Sequence, residues 1–298
     1  MPHKKVDVIA LLGFLVVSVF SLRAVFATGD PVAFHDLAPM YRLDQLFRPY
    51  DFPWDYKSNL GSPSMLTGNA LYNLPIIGLS LAFGSVAFAH KILLVLLMAF
   101  TGFGFYVAFT YHISSRVAGF AAGLYLMFNP FTLARWVYGH NTIILAYMIL
   151  PFALLSYFKA MREGGRKFMV ACGLLVALMI ATSPHVAYLF ILFMLLYTVF
   201  DLALSKRTGI VKRITSRGVH VGLILGVALI AAFPIFYQIA MVNLSVYSVR
   251  AEEAVLVVSP MGVTASTIPP ITLVAFIVLA FLYLLKKRGL TEASAISS

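Results

Sequence analysis

The sequence predicts an all-α fold, a polytopic bundle of transmembrane helices. Of its 298 residues, 61% are hydrophobic and 11% are charged, whereas about 25% of the residues in an average soluble protein are charged. Several apolar runs reach the roughly 20 residues that an α-helix needs to cross a bilayer. The single cysteine, Cys172, excludes a disulfide framework and a cysteine-based metal site within the chain.

The apolar runs predict about eight spans. The first, 6–28, is longer than the core of a signal peptide and lacks a clear small-x-small cleavage site, so we interpret it as a retained anchor. A single transmembrane domain then covers 1–290, and the polar tail 291–298 is expected to be disordered. The other predicted spans are 86–111, 117–137, 142–159, 168–183, 185–204, 218–240 and 269–285.

The apolar segment 70–84 is not predicted to be a span. It reads "ALYNLPIIGLSLAFG", which is short for a span and contains Asn73 and Pro75. If it crossed the membrane, every later loop would change sides and the basic loop 206–217 would face outward, against the positive-inside rule. We therefore predict a re-entrant or interfacial helix on the outer side.

The charge distribution sets the predicted orientation. With these spans, one side holds fifteen basic and four acidic residues, which is the whole net charge of +11, and the other side holds seven of each. Lys and Arg collect on the cytoplasmic side, so both termini are predicted to be cytoplasmic in the plasma membrane. The pI near 9.8 then reflects topology and anionic membrane lipids, and no nucleic-acid partner is expected.

The predicted outer loops, 29–84 and 241–268, carry the candidate chemistry. Asp36 precedes Leu-Ala-Pro, a pattern typical of a helix N-cap, and an amphipathic helix along the membrane surface follows it. Its predicted apolar face consists of Leu37, Met40, Leu43 and Phe47. Most other acids of the loop have basic neighbours, so Asp44, Asp51 and Asp55 are expected to be solvated or to pair with Arg42, Arg48 and Lys57. Two candidate acids remain, Asp30 and Asp36.

The other predicted outer turns add polar groups at the ends of spans. The segment "RWVYGHNT" contributes Arg135, His140 and Asn141, and "SPH" contributes His185. Ionisable groups at such places are candidates for functional sites when they face the bundle. The alternative for each histidine is an ordinary hydrogen-bonding role at the interface. Arg250, in the last outer loop, is suited to phosphate but has Glu252 and Glu253 as alternative partners.

Several motifs in order resemble those of a known superfamily. They are "W…NLGSP…LYNLP", then "AGFAAGLYLMFNPF…R…GH", then "SPH". Over about residues 1–205 the chain resembles the N-terminal half of the GT-C glycosyltransferases, in particular the YfhO-type proteins and the catalytic subunits of oligosaccharyltransferases. The resemblance implies a polytopic membrane enzyme that takes a sugar from a polyprenyl-phosphate carrier on the non-cytoplasmic face.

The resemblance also implies roles for individual residues. Asp36 matches the catalytic base, with Asp30 as the second choice and His35 beside it. The substrate and its phosphate would be bound by Arg135, His140, Asn141, His185 and Arg250. Oligosaccharyltransferases have a metal-binding acid where this chain has Gly139-His140-Asn141, which favours a metal-independent relative but leaves a divalent metal open.

Two other functions also fit these features. One is a transporter or flippase of lipid-linked sugars, which would use the same polar outer loops. The other is a non-catalytic subunit of a larger membrane complex, which the short chain and the missing second acidic motif favour. In that case other membrane subunits are expected partners.

Overall fold

The computed structural model describes residues 2–30, 32, 42–44, 46–47, 54–55, 62–63, 66–204 and 210–250. These residues form an almost entirely helical chain with one pair of two-residue antiparallel strands, β1 (Trp54–Asp55) and β2 (Ser62–Pro63). The helices are α1 (Pro2–Ser21), α2 (Arg23–Phe26), α3 (Leu66–Phe83), α4 (Val86–Ile113), α5 (Arg116–Phe128), α6 (Pro130–Tyr138), α7 (Asn141–Glu163), α8 (Arg166–Thr182), α9 (Pro184–Ala203) and α10 (Ile210–Arg250).

The predicted class, a polytopic helical membrane protein, agrees with the helix lengths. Within the described residues, five helical stretches are long and apolar enough to cross a membrane: Val86–Ile113, Arg116–Tyr138, Asn141–Glu163, Pro184–Ala203 and Ile214–Pro234. The apolar parts of α1 and α3 are shorter, and α8 has 17 residues. The count of eight spans therefore stays a prediction, and its last span, 269–285, and the tail 291–298 lie outside the described residues.

Two predicted boundaries differ in the structure. The predicted span 117–137 is divided between α5 and α6, because Asn129 is extended and caps α6 while Pro130 occupies its first turn. The predicted outer loop 241–268 begins inside a helix, since α10 continues to Arg250. The stretch 241–250 contains neither glycine nor proline, so nothing in it stops the helix.

The centre of the bundle is α4, which packs against α1, α3, α5 and α7. It approaches α5 closely at a glycine seam formed by Gly102, Gly119 and Gly123. A Cβ atom on Gly123 would lie 2.5 Å from the Gly102 carbonyl oxygen, and one on Gly119 would lie 2.7 Å from the Tyr106 carbonyl oxygen. Small residues spaced in this way let helix backbones approach each other in membrane proteins, so the "AGFAAG" motif has a packing role here.

Long-range hydrogen bonds define the two ends of the bundle. At one end Lys91 Nζ donates to the Thr28 carbonyl oxygen at 2.6 Å, and at the other Tyr106 Oη donates to Asp7 at 3.0 Å. Helices α1 and α4 are therefore antiparallel. We call the end at which α4, α7 and α9 begin the loop end, because the segment 29–65 is attached there. The opposite end, where these helices finish, is called the basic end.

The basic end is held together by arginines. Arg162 on α7 donates to the carbonyl oxygens of Tyr111 and His112 on α4, both at 2.8 Å. Arg217 on α10 pairs with Asp201 on α9 at 3.0 Å and also donates to a carbonyl of α7. These bonds lie at helix C-termini, where cationic side chains are favourable.

Helix α3 connects the first loop to the bundle. Tyr72 Oη and His90 Nε2 lie 2.8 Å apart between α3 and α4, and Asn73 Nδ2 donates to the carbonyl oxygen of buried Leu46 at 3.2 Å. Leu43, Asp44, Leu46 and Phe47 are helical, as the amphipathic pattern predicts. The predicted pairing of Asp44 with Arg42 is confirmed, with Nε and Oδ1 2.9 Å apart on an exposed surface.

Candidate functional site

The starts of the helices at the loop end differ in how they are capped. Ser85 caps α4 through its side chain, which accepts from the Phe88 N–H at 3.3 Å. Ser183 occupies the same position before α9 and is 3% exposed, and its hydroxyl has no hydrogen-bond partner among the described residues. His140 precedes α7 without a side-chain cap. Helix N-termini offer free N–H groups and a partial positive charge, so the starts of α7 and α9 are suited to a polar or anionic group.

The first residue of α7 is a buried polar side chain with unused hydrogen-bonding atoms. Asn141 is 7% exposed, and neither Oδ1 nor Nδ2 has a hydrogen-bond partner in the part of the chain that the structure describes. A buried polar group without a partner costs about 1–3 kcal/mol. A ligand group that both donates and accepts, such as a hydroxyl, would satisfy both atoms of this amide.

Asn129 is a contrasting case in the same region. Its Nδ2 lies 2.8 Å from the Leu126 carbonyl oxygen, 2.8 Å from Thr132 Oγ1 and 3.1 Å from Tyr147 Oη. Its Oδ1 accepts from the Thr132 N–H at 3.1 Å. This network fixes the bend between α5 and α6 and ties it to α7. Asn129 in the "FNPF" motif therefore has a structural role.

Arg135 and His140 form a pair across the turn from α6 to α7. Arg135 Nη1 lies 2.8 Å from His140 Nδ1, and the guanidinium lies 5.0 Å from the centroid of the Phe131 ring. Gly139 makes this turn possible, because its φ of 73° is unfavourable for other residues. Since arginine only donates, Nδ1 is the acceptor and the ring proton lies on Nε2. His140 therefore offers an N–H donor beside a permanent cation.

The structure brings three of the predicted residues together, because Arg135, His140 and Asn141 share this turn. His185 is exposed in the first turn of α9, at the same end of the bundle. Asp30 is exposed just beyond α2. The remaining candidates are not tested: His35 and Asp36 lie outside the described residues, and Arg250 ends α10 with a side chain that is not described.

Lys91 is a loop-end residue that was not among the predicted site residues. It is 4% exposed and donates to the Thr28 carbonyl oxygen. The sequence did contain a signal, since Lys91 is the only Asp, Glu, Lys or Arg in the 28 residues of α4. An isolated ionisable residue inside an apolar helix marks a functional candidate.

The described residues contain no group of three His, Cys, Asp or Glu close enough to share a metal ion. Comparison of the chain with protein-family models, with curated proteins and with solved structures gives no match. The resemblance to the GT-C glycosyltransferases therefore stays a prediction from the sequence motifs.

Proposed function

We propose that this chain is a membrane glycosyltransferase that transfers a sugar from a polyprenyl-phosphate-linked donor on the non-cytoplasmic face of the plasma membrane. The observation that supports the proposal is the buried amide of Asn141, which has no partner within the described ranges and directly follows the Arg135–His140 pair in the chain. A sugar supplies hydroxyls for the amide, and its phosphate leaving group supplies the negative charge that an arginine stabilises.

The orientation follows from charge. Basic residues collect at the end of the bundle opposite Asn141, and the positive-inside rule assigns that end to the cytoplasm. The loop end is then non-cytoplasmic, with both termini cytoplasmic. In this arrangement the chain crosses the membrane about eight times, with α5 and α6 together forming one span, and α3 lies at the outer side as a re-entrant or interfacial helix. The apolar carrier of the donor would run between α3 and the amphipathic helix that follows Asp36.

The chemistry is a substitution at the anomeric carbon of the sugar. The bond from this carbon to the phosphate oxygen breaks, and a bond to the acceptor oxygen forms. The acceptor proton passes to the Asp36 carboxylate as general base. The phosphate leaves with the bonding electrons, and Arg135 and the His140 Nε2–H stabilise its charge. Asn141 orients the sugar through its hydroxyls.

The test is transfer from radiolabelled polyprenyl-phosphate sugars in membranes that contain the full chain. Loss of a general base lowers rates by about 100-fold or more, so Asp36→Asn should lose transfer while the protein level stays unchanged. The matched control is Asp44→Asn, because Asp44 lies in the same loop but pairs with Arg42 on an exposed surface. Wild-type transfer by Asp36→Asn would contradict the assigned base.

A second function, a non-catalytic subunit of a larger membrane complex, is favoured by α10. Only 17% of its apolar stretch Ile214–Pro234 is buried, compared with 72% for Val86–Ile113 in α4. This leaves a broad apolar surface on which another membrane subunit would fit. Co-purification of a stoichiometric partner, together with no transfer by the isolated chain, would select this function over the enzyme.

A further inference from the structure

Lys91 is a buried cation in the second turn of α4. Its side chain is 4% exposed, and Nζ lies 2.6 Å from the Thr28 carbonyl oxygen. An ammonium group has three N–H donors, and the carbonyl takes one of them. Among the described residues no carboxylate lies within ion-pair distance of Nζ, whereas the described Asp201 and Asp44 each pair with an arginine.

The buried ammonium of Lys91 favours an anionic partner. Removing an ammonium from water is expensive, and the attraction of a counter-charge offsets that penalty. A single carbonyl dipole offsets it only in part. The ammonium contacts the carbonyl oxygen of Thr28, and Thr28, Gly29 and Asp30 are all exposed. A negatively charged group that binds Nζ at the loop end would take the place of the Thr28 carbonyl oxygen or share the ammonium with it.

An apolar surface adjoins the cation. Phe88 precedes Lys91 by three residues, which places the two side chains on neighbouring positions of the same helix surface. Its ring centroid lies 6.5 Å from that of Phe26 on α2 and 5.4 Å from that of Phe83 on α3. Phe83 and Phe88 are 53% and 41% exposed. A cation next to exposed aromatic rings fits a ligand that has an anionic head and a hydrocarbon tail.

We propose that Lys91 binds the phosphate group of a membrane lipid, held between the loop-end parts of α2 and α4 with its hydrocarbon chain against Phe83 and Phe88. A lysine ammonium is a compact point charge that suits phosphate. The site does not depend on the proposed transfer activity, because a phospholipid and a polyprenyl phosphate share this chemistry. It also uses none of the residues Arg135, His140 and Asn141.

The experiment measures lipid binding to the purified, delipidated full chain by native mass spectrometry. The probes are a polyprenyl phosphate, phosphatidylglycerol, the corresponding polyprenol without phosphate, and inorganic phosphate. We expect at least one phosphate-bearing lipid to bind, and the polyprenol and inorganic phosphate to bind more weakly because each lacks one half of the ligand. Tighter binding of the polyprenyl phosphate or of phosphatidylglycerol shows which of these two lipids supplies the phosphate.

Substitutions of Lys91 distinguish the effect of its charge from the effect of its packing. Lys91→Met keeps the apolar stem and should bind the lipid about 30-fold more weakly or worse, the loss expected when one member of a buried charge pair is removed. Lys91→Arg should restore binding. Lys167→Met is the matched control, because Lys167 is exposed at the basic end of the bundle. Equal lipid binding by wild type and Lys91→Met would overturn the proposal.

A second variant keeps the test decisive if Lys91→Met fails to fold. Asp30 is an exposed acid two residues after Thr28 and is the nearest described alternative counter-ion along the chain. If Lys91 binds a lipid phosphate, Asp30→Asn removes a repulsive charge and lipid binding stays the same or tightens. If Asp30→Asn abolishes lipid binding in a folded protein, or no phosphate-bearing lipid binds the wild type, the proposal is wrong.

Discussion

The two ends of the bundle treat their polar side chains differently. At the basic end, Arg162, Arg217 and Tyr106 each bond to a neighbouring helix. At the loop end, Asn141 and Ser183 are buried without partners among the described residues. Thr110, near the basic end, also has a hydroxyl without a partner among the described residues, but the partly buried pair Asp201 and Arg217 is bonded there. The hydrogen bonds at the basic end therefore stabilise the packing of the helices. At the loop end, buried donors and acceptors are left that a ligand could bind.

The largest effect that this comparison predicts is a loss of sugar transfer in the variant Asn141→Leu. Leucine has a similar volume and removes two buried polar atoms for which the described ranges offer no partner, so the free energy of unfolding should stay the same or rise. Transfer should fall about 100-fold, because a sugar that is no longer oriented by the amide is misplaced for reaction. The measurements are thermal unfolding in detergent and the radiolabel assay. Unfolding at a much lower temperature would mean that Asn141 is structural.

A smaller effect, on stability, is expected at the basic end. Arg217→Met removes the pair with Asp201 and a bond to the Met161 carbonyl oxygen. Both side chains are partly exposed, at 26% and 18%, so we expect a loss of about 2 kcal/mol or less in unfolding free energy. The double variant with Asp201→Asn should lose less than the sum of the single changes. Exact additivity in denaturant unfolding would show that the pair contributes nothing.

The smallest predicted effect compares two serines at helix starts. Ser115 caps α5, since its side chain accepts from the Ala118 N–H at 3.3 Å, and Ser115→Ala should lower the unfolding free energy by about 1 kcal/mol. Ser183 makes no such bond before α9. Ser183→Ala should change stability by less than about 0.5 kcal/mol. Equal destabilisation by the two substitutions would show that Ser183 is an ordinary cap.

The long helices could be predicted because each corresponds to a long apolar run in the sequence. Where the turn between two runs is short, as at Gly164–Gly165, the ends of both helices are fixed to within a few residues. The Asn-Pro pair that causes the bend at Asn129–Pro130 is visible in the sequence. The spans were predicted from hydropathy, however, and hydropathy alone does not reveal a bend inside an apolar run. The extension of α10 to Arg250 was missed because moderately polar residues continue a helix when nothing stops it.

The site was predictable only where its members are neighbours in the chain. Arg135, His140 and Asn141 share one turn, so their proximity follows from the sequence. The contact of Lys91 with Thr28 joins residues 63 positions apart and depends on how α1 packs against α4. Whether Asn141 and Ser183 have partners likewise depends on the packed structure. Asp36 stays a prediction from the motif.

The glycine seam has a consequence for how the protein is made. Its glycines lie on α4 and α5, which are joined by a turn of two residues, Ser114 and Ser115. The contacts between these two helices are local in sequence, and local contacts form quickly. The hairpin can therefore close as soon as α5 has entered the membrane, before α7 has followed it there. It would then serve as the template on which the later helices dock.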